Sequence, residues 1–226
     1  MLILGLDTSG KSGGVTLAEG DHNRFHVIAS SPIAGGTFSA QLVPTVAALL
    51  STNGYAARDL EGFAVASGPG SFTGLRVGLS AVKGLAEILH KPIAIVSLLE
   101  ALTFGGARNG KLGAALDGGR SEIFYGLYVV NDGSATVVYE KLLSQAEFQE
   151  RAREDGLELL LTSDAAVAEL ASAAGASAEV VERPGGEMVA RIGLRKLLAG
   201  QTVSVESLDA NYLRRSDAEI FFKGNR

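Results

Sequence analysis

Few side chains in this sequence carry the tools of catalysis, and two aspartates come first. Asp7 ends the apolar run MLILGLD and leads into TSGKSG; Asp117 ends KLGAALD and leads into GGRSE. A carboxylate at a strand end, beside a turn with free N–H groups, can position a cation and a phosphate. An aspartate in that place can equally cap its own turn. The residue types leave both readings open. Each turn offers only one carboxylate until Glu122, which weighs against a metal site.

Residues 67–78, SGPGSFTGLRVG, form the next candidate. A Walker loop needs a glycine, four residues and then Gly-Lys-Ser/Thr, so that the lysine reaches the terminal phosphates. Here Gly70 and Gly74 are too close together and Leu75 stands where the lysine would be. A dinucleotide fingerprint needs G-x-G-x-x-G. This loop is one residue too long, and its Pro69 has no N–H. Both enzyme patterns fail. A glycine-rich entry to a helix remains, which either offers an anion contact through Gly70, Ser71, Thr73 and Arg76 or simply makes a tight turn.

Other catalytic constellations are missing. The chain has no cysteine, which excludes disulfides, thiolate zinc sites and a cysteine nucleophile. His22 and His26 fall in a strand and turn context, where four residues span roughly 13 Å, too far for one ion. His90 stands alone near a helix end, and all three read as surface residues. No G-x-S-x-G elbow occurs, and no metal site is expected.

The elements that must position these residues alternate between strand and helix. Strands are expected at 1–6, 13–18, 25–30, 63–66 and 92–97, and helices at 39–52 and 75–90. The pattern then restarts. KLGAALDGGRSEIFYGLYVVND lies over MLILGLDTSGKSGGVTLAEGD at a constant offset, so that Asp7 meets Asp117, Leu17 meets Leu127 and Asp21 meets Asn131. A third strand at 136–143 and helices at 145–154, 165–173 and 186–199, with strands at 157–161 and 178–182, complete the second half. Self-similarity at half the chain length points to a duplicated unit, a three-stranded meander followed by α/β crossovers, rather than a short solenoid. The expected product is two lobes joined near 108–111.

Composition agrees. At 226 residues, 46% hydrophobic and with a mean hydropathy of +0.22, the chain can bury a core in each lobe. Its net charge of −5 does not attract nucleic acid, so any RNA must be held mainly by a basic partner. The N-terminal apolar run is too short for a signal peptide, and no stretch suits a membrane span. A soluble cytoplasmic protein is expected.

The helices carry a further message. The one at 75–90 is apolar almost all the way round, whereas a surface helix normally keeps one polar face. Leu75, Leu79, Val82 and Ala86, together with Leu42, Val46 and Leu49 of the preceding helix, form either a two-helix docking surface or part of the subunit's own core.

LGLDTS, SGPGSFTGLRVG, AALDGGRSEIF and the tail DANYLRR stand in the order and spacing of the TsaB (YeaZ) family, which the chain resembles over essentially its full length. The resemblance implies an α/β ASKHA (actin/Hsp70-like) fold of two RNase-H-like lobes. The first would span 1–107, completed by 205–226, and the second 108–204. It implies a non-catalytic subunit of the bacterial complex that threonylcarbamoylates adenosine 37 of tRNAs, with no cofactor of its own and ATP or ADP at the complex interface. The implied partners are the catalytic subunit TsaD and the ATPase TsaE, with a homodimer through the same helical surface and tRNA met only in the complex. In TsaD-like proteins a similar Gly-Pro-Gly loop leads, through a helix and a strand, to a His-x-x-x-His metal pair. Following that spacing here arrives at Leu98 and Leu102, which have no lone pair to give a metal. A nucleotide-binding regulatory module, and less so a stand-alone metal-dependent ATPase or peptidase, are the competing expectations.

Overall fold

The run LILGLD is buried at every residue, and a strand buried on both faces must lie in the middle of a sheet. The computed structural model describes residues 1–106, 108–210 and 213 and places this run (β1, Leu2–Asp7) centrally. β2 (Ser12–Gly20) and β3 (Phe25–Ala34) follow as an antiparallel meander, and β4 (Gly62–Gly68) and β5 (Ile93–Ser97) add parallel strands, giving the order β3-β2-β1-β4-β5. α1 (Phe38–Thr52) precedes β4, α2 (Phe72–Leu89) connects β4 to β5, and the short α3 (Leu98–Thr103) follows β5.

The second half repeats this plan. β6 (Gly110–Gly119), β7 (Glu122–Asn131) and β8 (Ser134–Ser144) form the meander, with β9 (Leu159–Thr162) and β10 (Ala178–Val180) parallel beyond β6. The order is β10-β9-β6-β7-β8, the same plan as the first sheet. α4 (Gln145–Glu154) and α5 (Ala165–Ala173) form a core with Ala115, Ile123, Tyr125 and Leu160. The duplication read from the sequence is therefore a duplication of topology, and the fold is the expected ASKHA-type α/β pair of RNase-H-like sheets.

Even the irregularities recur. In the first sheet Leu17 faces Ala29 and Ala18 faces Val27, which leaves Ile28 as a one-residue bulge. In the second, Leu127 faces Tyr139 and Tyr128 faces Val137, which leaves Val138 as the bulge, 110 positions after Ile28. The first hairpin does not repeat in this way. Leu4 pairs with Leu17, but Leu127 pairs with Gly113 and not with Ala114, because β6 carries an extra bulge at Gly118.

A second departure from expectation concerns α6 (Gly186–Leu198). It follows β10 in sequence, yet it packs on β1, β2, β4 and β5 of the first sheet. Gly193 brings it so close that a methyl group there would sit 2.1 Å from the Ala64 Cβ. Lys196 secures it, donating to the Glu100 carboxylate at 2.6 Å and to the Ile95 carbonyl at 3.0 Å. The compact units are thus Met1–Ala101 with Glu182–Ala210, and Leu102–Val181. The division expected from sequence, at 107/108 and 204/205, puts this helix in the second lobe, whereas its packing puts it in the first unit. Periodicity marks α6 as amphipathic but says nothing of which sheet its apolar face covers. Residues 205–210 of the segment expected to complete the first lobe lie in the first unit, with Leu208 and Ala210 in its core. Most of the remainder of 205–226, including Asn211, Tyr212 and the rest of the tail motif apart from Leu213, lies outside the described residues.

Candidate functional site

The Asp7 turn and the glycine loop meet in the first unit. Asp7 is buried, and its Oδ1 accepts from the Ser9 N–H at 2.9 Å and the Ser9 hydroxyl at 2.6 Å. Burial pushes the Asp7 carboxyl above its ordinary value; the Ser9 hydrogen bonds and the Arg183 charge act in the opposite direction without cancelling it. Next in line, the Thr8 hydroxyl donates to the Gly74 carbonyl at 2.8 Å, and the Ser71 N–H donates to the Ser9 carbonyl at 2.7 Å. The turn lies directly on the start of α2.

This contact explains the glycines. A Cβ on Gly70 would sit 2.4 Å from the Ser9 carbonyl oxygen, one on Gly74 2.0 Å from the Thr8 carbonyl oxygen, and one on Gly78 2.3 Å from Thr8 Oγ1. Three glycines remove the side chains that would hold the turn and the helix apart. The Ser71 hydroxyl caps α2 by accepting from the Gly74 N–H, so the helix entrance satisfies part of its own backbone. Asp7, Gly70 and Ser71 are thereby brought together. Thr73 and Arg76 lie instead on the outward side of α2, with Arg76 stacked over the Phe72 ring at 3.8 Å.

Asp117, in the second unit, does not repeat Asp7. It is exposed, and its Oδ1 accepts from the N–H of Gly119 in its own turn, at 2.8 Å, while its N–H donates to Asp164 at 2.9 Å. His22, His26 and His90 are exposed, and among the described residues no group of three His, Cys, Asp or Glu could hold a metal ion. Leu98 and Leu102 are wholly buried. Thr8, Ser9 and Arg183 belong to the Asp7 site but were not singled out from sequence. The first two adjoin Asp7 in the turn already noted; Arg183 comes from a distant segment with no local signal.

The docking residues read from the sequence need correction. Leu42, Val46, Leu49, Leu75, Leu79, Val82 and Ala86 all pack in the first unit's own core. Their spacing marks the stripe that faces the sheet, and an inward stripe and a docking stripe have the same period. What faces outward is a second apolar surface. A groove of about 570 Å³ runs between α1 and α2, lined among others by Phe38, Val43, Phe72, Arg76, Val77 and Ala81. Val43 is 59% exposed and Ile88, further along α2, 77%. No charged residue occurs anywhere in α1.

Residues 32–195 match the family model described as TsaD, tRNA N6-adenosine threonylcarbamoyltransferase. The TsaB protein of Bacillus subtilis, described as a tRNA threonylcarbamoyladenosine biosynthesis protein, is 36% identical over 59% of this chain and 57% of its own. The chain belongs to this family, on its TsaB (YeaZ) branch. The Escherichia coli TsaB is 32% identical over 57% of this chain and 55% of its own. The matches thus span little more than half the length of these curated relatives. Among solved structures, a Pseudomonas aeruginosa protein described as similar to peptidase YeaZ superposes with a TM-score of 0.74 at 25% identity, over 94% of this chain and 99% of that one. No described helix is long and apolar enough to cross a membrane.

Proposed function

We propose that this chain is a non-catalytic subunit of the machinery that makes N6-threonylcarbamoyladenosine at adenosine 37 of tRNAs. Its TsaB relatives are named for that biosynthesis. In this reading it docks on the catalytic subunit TsaD in the cytoplasm and so allows the ATPase TsaE to be recruited. The observation that carries the docking role is the α1–α2 groove, where exposed Val43 and Phe72 and half-buried Val77 lie beside an α1 without a charged residue, with exposed Ile88 further along α2. Large exposed apolar surfaces of this kind mark interaction sites. The same face can serve a homodimer, so the two assemblies compete. The non-catalytic part is supported by residue type, since leucines stand at 98 and 102 and are sealed in the core. The chain requires no cofactor of its own; ATP or ADP enters at the junction with TsaD, and tRNA is met only in the complex.

Two experiments test this reading. Transfer is reconstituted with TsaD, TsaE, threonylcarbamoyl-adenylate and tRNA, with and without this chain; full activity in its absence overturns the role. Val43→Asp then tests the face. At an exposed position the free chain should lose no more than about 0.5 kcal/mol, while capture of TsaD should weaken on the order of a hundredfold as the charge is buried unpaired.

A nucleotide-binding regulatory module is favoured by one feature, the buried Asp7 beside the Arg183 charge. Calorimetry with ATP and ADP, on the chain alone and with TsaD, separates the two. Saturable binding to the isolated chain, lost in Asp7→Ala, favours the module.

A further inference from the structure

The two sheets share a strand plan but not their covering. The first carries α1 and α2 on one face and α6 on the other. The second packs Ala115, Ile123 and Tyr125 against α4 and α5, and among the described residues no other helix makes extensive contact with its strands. Its opposite face is nevertheless buried. Side chains alternate along a strand, so Leu116, which pairs with Phe124, lies on that face with Tyr128 and Val130. Tyr128 is 1% exposed, Leu116 and Val130 are 3% and Phe124 is 9%. Gly105 and Gly106 lie against Val181 and Leu161 and close the side of the face next to β9 and β10. We propose that over β6, β7 and β8 the cover is the chain's own C-terminal segment, with Ile220, Phe221 and Phe222 as its apolar contact.

Length, side-chain chemistry and charge select this occupant. Sixteen residues follow Ala210, which is roughly 50 Å of extended chain. The outer two of the strands β6, β7 and β8 are only about 10 Å apart. The tail motif DANYLRR leads into SDAEIFFKGNR, where Ile220–Phe222 is the one run of three large apolar residues beyond Ala210. Aromatic side chains bury about 150–250 Å² each, enough for a few of them to shield a patch of Leu, Phe, Tyr and Val. Residues 102–181 carry six Lys or Arg against twelve Asp or Glu, whereas residues 211–226 carry four against two. The acidic unit therefore attracts the basic segment. A second copy docked through the same face would set one acidic unit against another, which opposes like charges.

The direct test uses the full-length chain. Photoreactive benzoylphenylalanine replaces Phe221 and, separately, Phe222, because neighbours on an extended segment face opposite ways. On irradiation at least one should cross-link within its own chain to the stretch 112–142, located by mass spectrometry of the digest. Cross-links only to residues 1–101, cross-links between two copies, or none from either position overturn the proposal. The chain has no tryptophan, so Phe221→Trp and Phe222→Trp each supply a single reporter. At least one should resist acrylamide quenching several-fold better in the folded chain than in denaturant; if both are quenched alike in the two states, the segment covers nothing. Deleting residues 217–226 should lower the melting temperature by about 10 °C and raise the binding of a hydrophobic dye several-fold as the sheet face is exposed. Unchanged melting and dye binding overturn the assignment. If the shortened chain does not fold, the cross-links and the tryptophan reporters decide it in the full-length chain.

Discussion

Asp7 and Asp117 hold the same place in two copies of one sheet, yet one carboxylate is enclosed and the other is open to water. The extra residue at Gly118 accounts for part of this difference. Along β1 the even residues Leu2, Leu4 and Leu6 enter the core under α1 and α2, whereas Gly5, which shares its parity with Asp7, abuts Ala190 of α6. Along β6 it is the odd residues that face the helices following the meander: Ala115 lies in the α4–α5 core and Gly113 abuts Leu157 and Leu160. A slip of one residue exchanges the two faces of a strand. The bulge at Gly118 has done this to β6 while leaving β7 and β8 in step. Asp117 therefore points to the opposite face of its sheet from Asp7. A ligand site built from two symmetric carboxylates does not follow from the sequence repeat.

The remaining difference comes from what covers each turn. The first lies against α2 through three glycines; the second is closed by its own Gly119 N–H and Asp164. The largest test is to force the first turn open. Gly74→Ala places a methyl group 2.0 Å from a backbone oxygen, which neither partner can avoid by changing rotamer. Denaturant unfolding should show a loss of about 3 kcal/mol or more. Gly84→Ala, on the same helix with nothing within 4 Å, should instead gain up to about 1 kcal/mol from helix propensity. Equal effects at the two positions would mean that the turn does not press on α2.

A smaller effect is expected from Thr8→Val, which keeps the shape and removes the hydroxyl that reaches the Gly74 carbonyl. Losing this buried bond should cost about 1 kcal/mol. Charge at the enclosed turn gives the next test. The carboxyl of Asp7 is raised by burial, so between its ordinary value and its raised one the folded chain binds more protons than the unfolded chain. Stability due to this group is therefore present in acid and is lost as pH rises through that window. Asp7→Asn removes the loss. The stability of the variant relative to the parent should increase from acid to neutral pH; a flat or declining difference would show that Asp7 is not penalised for its charge.

The repeat, the succession of meander and α/β crossovers and the two Asp turns were legible because each depends on local pattern and on a constant offset. Three features were not. The bulge at Gly118 adds a residue to pairing without adding one to the alignment, since Asp7 still meets Asp117 and Leu17 still meets Leu127 by count. The placement of α6 depends on which sheet has an uncovered apolar face, a tertiary fact with no trace in its own thirteen residues. The docking residues failed for a related reason. Leu75, Leu79, Val82 and Ala86 recur at helical spacing, and so do the half-buried groove residues Val77 and Ala81 and the exposed Ile88. On a helix that is apolar all round, period alone does not say which stripe meets the sheet. In α1 the exposed Val43 lies beside the buried Leu42, a one-residue difference that only packing decides.

The smallest expected effect is at the open turn. Asp117→Asn keeps an oxygen where Oδ1 accepts from the Gly119 N–H, and it leaves the Asp117 N–H free to donate to Asp164. The side chain is exposed, so no buried group is stranded and water is available to either form. Its stability at neutral pH should stay within about 0.5 kcal/mol of the parent. A larger loss would mean that Asp117 has a second partner in solution, and that the second turn is more enclosed than its geometry indicates. With Asp7→Asn measured alongside, the pair asks whether the two aspartates remain equivalent in anything but sequence position. A register slip that turned one of them to the opposite face predicts that they do not.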